Sequence, residues 1–445
     1  MAVDCLDALS GRYRPLVGAR LGVIQHLALF EPGPGDPPLY YSGGAVCDVG
    51  RLVGGRSWQP PAGGVGVSPE TAVMSAVGEA VERYCSAFIP TTELVPGAYR
   101  DLSRHQPCQD PRRLSFFSRD CIDQQKLNVP MRLEDHEMYW AQGRNIHDDE
   151  PLLLPAPWVY LPYSVPGEAV VVPGNSTGLC CAPTIENALT GAILEAVERD
   201  AYVSCWRWGG QPPRLKLPDS IWAREIKNLV PLNYWQHAMY DLTGDSGIPV
   251  ILVVLQPPCW MGKQSGLDTW YCHGAAAHPD PVVALKKALM EACLAWKHIE
   301  MFWPANRDWT AERDLSNLTD FDAHTLFYNV HPEYRKKLKF LDQGPLLEWG
   351  NSCGTAGSGP DPEMELSWIK DRLSSAGIRG GWIDLTTSDA ASCGLHVVRA
   401  LLDDFIWLHG DYRLPFTTPR SENAHDFYDY IAEGSELNRW PHSLG

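Results

Sequence analysis

Fourteen residues from Glu70 to Arg83, ETAVMSAVGEAVER, return from Glu186 to Arg199 as ENALTGAILEAVER, with eight identities at an offset of 116. A segment repeated within one chain requires the same supersecondary unit to be built more than once, so this feature restricts the fold more than any other. A third copy lies 96 residues further on, where Ala284, Leu285, Ala288, Glu291 and Ala292 align with Ala188, Leu189, Ala192, Glu195 and Ala196. Its second Glu and its Arg are replaced by Leu294 and Ala295. Each copy spaces Ala and aliphatic residues at helical intervals without an internal Pro, which predicts a helix. Pro69, Pro183 and Pro281 suit the first turns. Small-residue stretches stand upstream: Ala62 to Gly66, Gly174 to Gly178 and Gly274 to Ala277. They predict flexible or close-approach loops leading into the helices. Ala169 to Val172, Val250 to Leu255 and His396 to Leu402 are strand candidates. The expected fold is α+β, with pseudo-symmetric loop–helix units packed on mixed sheet.

Residues three apart share a helix face, so Glu79 with Glu82 and Glu195 with Glu198 each project two carboxylates in one direction. With Glu291, five carboxylates can converge. Two carboxylates about 4 Å apart repel by roughly 4 kcal/mol at an effective dielectric of about 20, so such a cluster needs cations. Mg²⁺ takes oxygen ligands and bridges carboxylates to phosphates, which fits Glu-only ligation. Arg83 and Arg199 are then candidates for phosphate oxygens or for neighbouring carboxylates. The alternative is ordinary helix surface, where such charges contribute a few tenths of a kcal/mol. Two copies in register favour the site.

Other nucleotide and hydrolase signatures are missing, including G-x-x-x-x-G-K-[ST], G-x-G-x-x-G and H-E-x-x-H. Met261 to Gln264 has the wrong residue after its Lys. Gly174-Asn175-Ser176-Thr177-Gly178 spells G-x-S-x-G, but a helix starting near Pro183 is too distant for a nucleophile elbow at Ser176. The loop amides from Asn175 to Gly178 are instead expected to face phosphate.

With 37 basic and 54 acidic residues the net charge is -17, and Arg335 to Lys339 is the only compact basic run. Nucleic acid and anionic membrane are disfavoured partners. No apolar run approaches the roughly 18 residues of a spanning helix, and the acidic opening is unlike a signal peptide, so a cytoplasmic protein is expected. Thirteen cysteines without a C-x-x-C pair read mainly as small buried hydrophobes. The stretch from about 91 to 150 is polar and Pro-bearing and reads as an insertion or lid within a single domain spanning 1–445. Residues 303 to 345 read as helical, and Trp349 to Pro360 as an exposed loop.

SAVGEAVERY, GNSTGLCCAPTIENALTGAILEAVERDA and HGAAAHPDPVVALKKALMEA resemble the three signature blocks of YcaO-domain proteins. The start LVGARLGVIQHLALFEPGPGD, the middle MYWAQGRNIHDDEPLLLPAPWVYLPY and WIDLTTSDAASCGLHVVRALL near the end resemble the subgroup that modifies ribosomally made peptides. Only about 95 to 135 is poorly covered. The resemblance implies a YcaO-like fold and an ATP-dependent enzyme that phosphorylates a backbone amide oxygen. It implies that Glu79, Glu82, Glu195, Glu198 and Glu291 bind Mg²⁺, with Arg199 beside them, and that Ser176, Thr177 and Gly178 lie near the nucleotide. In azoline formers of this kind, a Cys, Ser or Thr of the precursor peptide attacks the preceding amide. Sister enzymes make thioamides or amidines. A leader-binding partner resembling a ubiquitin-activating enzyme is implied for azolines, and a TfuA-like one for thioamides; a homodimer is a further candidate assembly.

Three departures from the family pattern bear on this. Val65 stands where the first loop usually has Lys, and Leu294 where the third block usually has Gln. The tail is Pro441-His442-Ser443-Leu444-Gly445 in place of an alternating Pro motif, which leaves His442 as a candidate proton-transfer group. Two further readings stay open: a non-catalytic nucleotide-binding subunit that presents peptide, and an acidic-cleft hydrolase using paired carboxylates.

Overall fold

Ser68 accepts a hydrogen bond from the Thr71 amide, while Thr71 Oγ1 accepts one from the Ser68 amide. This reciprocal cap, with Pro69 in the first turn, starts helix α1 (Pro69–Cys85). Thr184 caps α2 (Ile185–Arg207) through the Asn187 amide, so Pro183 falls just ahead of the cap. Asp280 caps α3 (Pro281–Phe302) through the Val282 amide. The three copies of the repeat are these three helices. The computed structural model describes residues 2–444 apart from 4, 6, 56, 166–167, 169–170, 173, 230–234, 259–266, 268–269 and 353–361.

A four-stranded antiparallel sheet runs in chain order through β1 (Ala2–Val3), β2 (Ile24–Phe30), β3 (Tyr40–Val46) and β4 (Pro61–Gly66). Helix α1 packs on its last two strands. Next come β5 (Val95–Ala98), β6 (Glu137–Asn145), β7 (Pro151–Pro155) and β8 (Leu179–Ala182). A second sheet, ordered β12-β11-β10-β9-β13, is built from β9 (Arg214–Lys216), β10 (Gln236–Asp241), β11 (Val250–Gln256), β12 (Cys272–Ala277) and β13 (Leu346–Glu348). Helix α3 covers its β11–β12 side. Finally β14 (Gly380–Asp384) and β15 (His396–Leu402) complete the antiparallel sheet β5-β6-β14-β15-β8, with β7 paired to β6. Helix α2 lies against β8 and β15, touches β12, and is buried on most of its faces.

Each repeat helix follows a strand, β4, β8 or β12, after two or three residues. Two of the small-residue stretches expected as loops are therefore strands: Ala62 to Gly66 lies in β4 and Gly274 to Ala277 in β12. The reason is close approach. A Cβ on Gly64 would sit 2.4 Å from both the Ala72 carbonyl and the Ala76 amide, and one on Gly274 would sit 2.1 Å from the Ala288 carbonyl. Only a strand bare of side chains lets the helix backbone come this near.

The strand expectations at Val250 and His396 match β11 and β15. That at 169–172 does not hold for its described part, since Val171 and Val172 are buried in the core outside any strand and the local strand is β8. Residues 91–150 contribute β5 and β6, and β6 pairs directly with β14. This segment thus extends the sheet, where a lid would only cover it. Within 303–345, helix is confined to short 3-10 turns at Trp303–Ala305, to α4 (Phe321–Val330) and to a long 3-10 helix, Pro332–Gln343. Trp349–Ser352 is a short helix, and the rest of the expected loop, like Met261 to Gln264, lies outside the described residues.

Candidate active site

In its first two copies the strand-to-helix unit fixes a carboxylate by the same contact. Glu79 Oε2 accepts the Gly63 amide at 2.8 Å, and Glu195 Oε2 accepts the Gly178 amide at 2.6 Å. Glu79 and Glu195 are thereby tied to the strand or loop that precedes their own helices. In the third copy the Ala275 amide is near enough to Glu291 to favour its charged form. Glu82 crosses between units, its Oε1 accepting the Cys181 amide of β8 at 2.8 Å. Glu195 is the hub, because its charge acts on Glu82, Glu198 and Glu291 together.

Burial pushes the Glu82 carboxyl up to about 8, with Glu195 and Glu79 adding to the rise against Arg83. Burial also raises Glu198 well above the usual range, helped by Glu291 and only partly opposed by Arg199. Glu291 is exposed on one side, yet crowding by the cleft walls and the charge of Glu195 push it up to about 7. The elevated values mean that burial denies these carboxyls the solvation their charged forms need, and that the neighbouring guanidiniums replace it only in part. Among the described residues no three side chains already stand at metal-ligand distances. Like charges held apart by backbone ties are expected to look this way before a cation draws them in.

The cations are under-partnered too. Arg83 donates to Glu79 at 3.1 Å, while its Nη1 is buried without an acceptor. Arg199 lies 3.5 Å from Glu198 and 3.7 Å from Glu195, too far for good hydrogen bonds, and its Nε is orphaned. Arg399, from β15, is 1% exposed; Nη1 donates to the Asn175 carbonyl at 2.6 Å, and Nε and Nη2 have no acceptor. Burial lowers it to about 9, against the pull of Glu195. Buried guanidinium N–H groups without acceptors are costly unless an anion arrives. An oxygen-only acid set beside orphaned guanidiniums fits a divalent cation and a polyphosphate together.

The structure brings Glu79, Glu82, Glu195, Glu198, Glu291, Arg83 and Arg199 within electrostatic reach of one another, and Ser176 and Thr177 precede Gly178 in the loop whose amide meets Glu195. The loop amides are already used: Thr177 N donates to Asn175 Oδ1 at 2.8 Å and Gly178 N to Glu195. Thr177 is buried and Ser176 half-buried, and among the described residues Ser176 Oγ has no imidazole or carboxylate partner that would make it a nucleophile. His442 is not brought in. It is buried, stacks on His324 at 4.1 Å between centroids and meets the His409 carbonyl through Nε2 at 2.8 Å. Burial and the neighbouring His324 and His409 hold it well below its usual range, hence neutral. Its nearest link to the cleft is Tyr202, one helical turn beyond Arg199, whose hydroxyl accepts the Ser443 amide. Arg399 and Lys287, whose charge acts on Glu198 and Glu291, were not singled out from the sequence. Arg399 did leave a signal, a lone cation inside the buried apolar strand Val397 to Leu402.

A mixed helix–sheet body that aims acidic residues from three strand–helix units into one cleft defines a protein built to hold a cation-bearing, strongly anionic ligand. Residues 63–405 match the family model described as YcaO cyclodehydratase, ATP- and Mg²⁺-binding, and the chain belongs to the YcaO family. It is 26% identical over 239 residues to an uncharacterized protein in the tfuA 3' region of Rhizobium leguminosarum bv. trifolii, covering 52% of this chain and 53% of that one. A protein of Methanothermobacter thermautotrophicus is 26% identical over 236 residues, with 51% and 55% covered. The chain thus spans about half the length of the curated relatives it matches. Among solved structures, a heterocyclase in complex with substrate and cofactor superposes with a TM-score of 0.71 at 20% identity, covering 97% of this chain and 56% of that one. The YcaO of Methanopyrus kandleri bound with AMPPCP and Mg²⁺ gives 0.60 at 19% identity, with 87% of each chain covered. At these identities the likeness is one of fold. Among the described residues no helix is long and apolar enough to cross a membrane.

Proposed function

We propose that this chain uses Mg·ATP to activate backbone amides of a ribosomally made precursor peptide in the cytoplasm, leading to cyclodehydration of Cys, Ser or Thr to azolines. The observation that carries this reading is the gathering of the buried, crowded carboxyls of Glu82, Glu198 and Glu291 beside orphaned N–H groups on Arg83, Arg199 and Arg399. Glu79, Glu82, Glu195, Glu198 and Glu291 are read as the metal-holding set. Arg83 and Arg199, with Ser176, Thr177 and Gly178 at the edge, and Arg399 behind them, are read as the nucleotide contacts. Bound Mg·ATP supplies the phosphoryl group that makes the amide oxygen a leaving group. The chain's own residues bind, orient and neutralise charge, so no protein nucleophile is required. His442 is given a positioning part, holding the tail against α2 beside Tyr202. Residues 1–445 are read as one domain with 91–150 as an insertion in its sheet.

A leader-binding protein resembling a ubiquitin-activating enzyme is the proposed partner, and a homodimer the proposed assembly. A second reading, thioamide formation with a TfuA-like partner, is favoured by the relative encoded beside tfuA. Incubation with ATP, Mg²⁺, candidate peptide and partner separates these by mass. Loss of water is the expected result, whereas exchange of oxygen for sulfur selects the second reading. ATP turnover unaffected by Glu82→Gln with Glu198→Gln rejects the site itself.

A further inference from the structure

A cavity of about 820 Å³ lies between one face of the β9–β12 sheet and the 3-10 helix Pro332–Gln343, and none of the five carboxylates lines it. Its floor follows from the period of two in the strands. Gln236, Ala238 and Tyr240 of β10 share a face, which Val254 and Gln256 of β11 continue across the ladder. The opposite face sends Met239, Val253 and Leu255 into the core beneath α3. The roof follows from the 3-10 pitch, because three residues per turn stack Lys336, Lys339 and Asp342 in one row beside Arg335, Leu338 and Leu341 in the next. Leu338 and Leu341 are buried, which leaves the lysine row exposed at the mouth.

The charge here is opposite to that of the molecule. The chain carries -17, yet Arg214, Arg335, Lys336 and Lys339 line this cavity against the single carboxylate of Asp342. Asp342 accepts the Tyr240 hydroxyl at 2.8 Å, and Arg335 donates to the Tyr328 carbonyl at 2.9 Å while lying over the Tyr271 ring. Among the described residues, Arg214, Lys336 and Lys339 have no carboxylate in ion-pair range. Arg335, Lys336 and Lys339 of the chain's only compact basic segment thus face a half-enclosed space, while Lys337 lies over the Trp440 ring.

We propose that this cavity binds an extended peptide segment with carboxylates at alternate positions. Reading the ligand as peptide rests on the function proposed above, but the cationic cavity does not. Successive turns of a 3-10 helix advance about 6 Å, and side chains on one face of an extended chain recur about every 6.6 Å. Lys336 and Lys339 therefore match two acidic residues one apart in an extended strand, and the amides of Gln236 and Gln256 lie on the floor to meet its backbone. A phosphate site would draw its donors to a point, whereas these are set along a line.

The test is fluorescence anisotropy of a rhodamine-labelled peptide of alternating Glu and Ser, titrated with full-length protein free of nucleotide. Saturable, salt-sensitive binding is expected, with the Gln counterpart bound about tenfold more weakly. Lys336→Gln with Lys339→Gln is expected to weaken binding about tenfold without moving the thermal midpoint, and Arg214→Gln to weaken it by less. Glu82→Gln with Glu198→Gln is expected to bind the probe as the parent does, so failure of the proposed chemistry leaves this result readable. Equal affinity for the Glu and Gln peptides, or no loss in the lysine double variant, overturns the proposal. So does displacement of the probe by tripolyphosphate at lower concentration than by unlabelled peptide, which assigns the cavity to a small polyanion.

Discussion

Glu198 and Asp200 stand two residues apart on α2 and are both buried, but the helix sends them into opposite surroundings. Asp200 is saturated: Oδ1 accepts the Ile406 amide at 2.8 Å, and Oδ2 accepts Arg420 Nε at 2.8 Å and the Tyr428 hydroxyl at 2.6 Å. Arg420 in turn reaches Asp245 and lies over the Phe427 ring. Among the described residues Glu198 has one cation in ion-pair range, Arg199 at 3.5 Å, with the charge of Lys287 acting from further off, and it faces Glu195 and Glu291. Asp200 is a fastener that joins α2 to the chain after Ile406, and its charge is balanced within the protein. Glu198 is left for something from outside to balance.

The contrast breaks most readily at Asp200. Asp200→Ala leaves Arg420 with Asp245 alone and takes the acceptor from the Ile406 amide and the Tyr428 hydroxyl, and it is expected to cost about 3–5 kcal/mol, read as a shifted urea midpoint. Glu198→Gln is expected to do the reverse, keeping or raising stability while ATP turnover with peptide falls by on the order of 10²-fold; a comparable loss of stability would make Glu198 a second fastener. Arg399→Lys removes the planar fork facing the cleft, and the KM for ATP should rise about tenfold with the fold intact. His442→Asn is expected to lower kcat a few-fold at constant KM for ATP, about as much as Tyr202→Phe; a His442 effect far exceeding that one points to direct proton transfer.

The smallest effect sharpens the comparison through pH. Glu82, raised to about 8, keeps its proton in the folded state between its ordinary value of 4.5 and about 8, whereas the unfolded chain has already lost it. The folded state then binds more protons, so stability of the nucleotide-free protein falls as pH rises through that window. Glu291, raised to about 7, adds in the same direction. Thermal midpoints measured from pH 5 to 8 should decline, and Glu82→Gln should flatten the decline. A rising curve would mean that the cleft charges are already compensated.

The acidic pairs were legible because a local period and a repeat place Glu79, Glu82, Glu195 and Glu198 without knowledge of distant contacts. Arg399 was harder, since β15 reaches the cleft only after the sheet is assembled around α2. The strands of 91–150 were masked by polar composition, although Met138, Trp140 and Ala141 are buried beside half-buried or exposed neighbours in β6; their partner β14 comes more than two hundred residues later. The small-residue stretches were misread as loops because bare backbone pressed against a helix and bare backbone in a turn share one composition. The place of His442 depends on the path of the tail beside α2, which no local pattern encodes.

The amides of Gly63 and Gly178 each rest on a carboxylate of the cleft, and that of Ala275 lies near Glu291. Those amides belong to, or directly precede, strands of three different sheets, so the acids act as spokes from one axle to three walls. Charge neutralised at the axle is felt by every wall at once. Loading the cleft should therefore slow amide hydrogen exchange in β4, β8 and β12 together, as a single cooperative tightening.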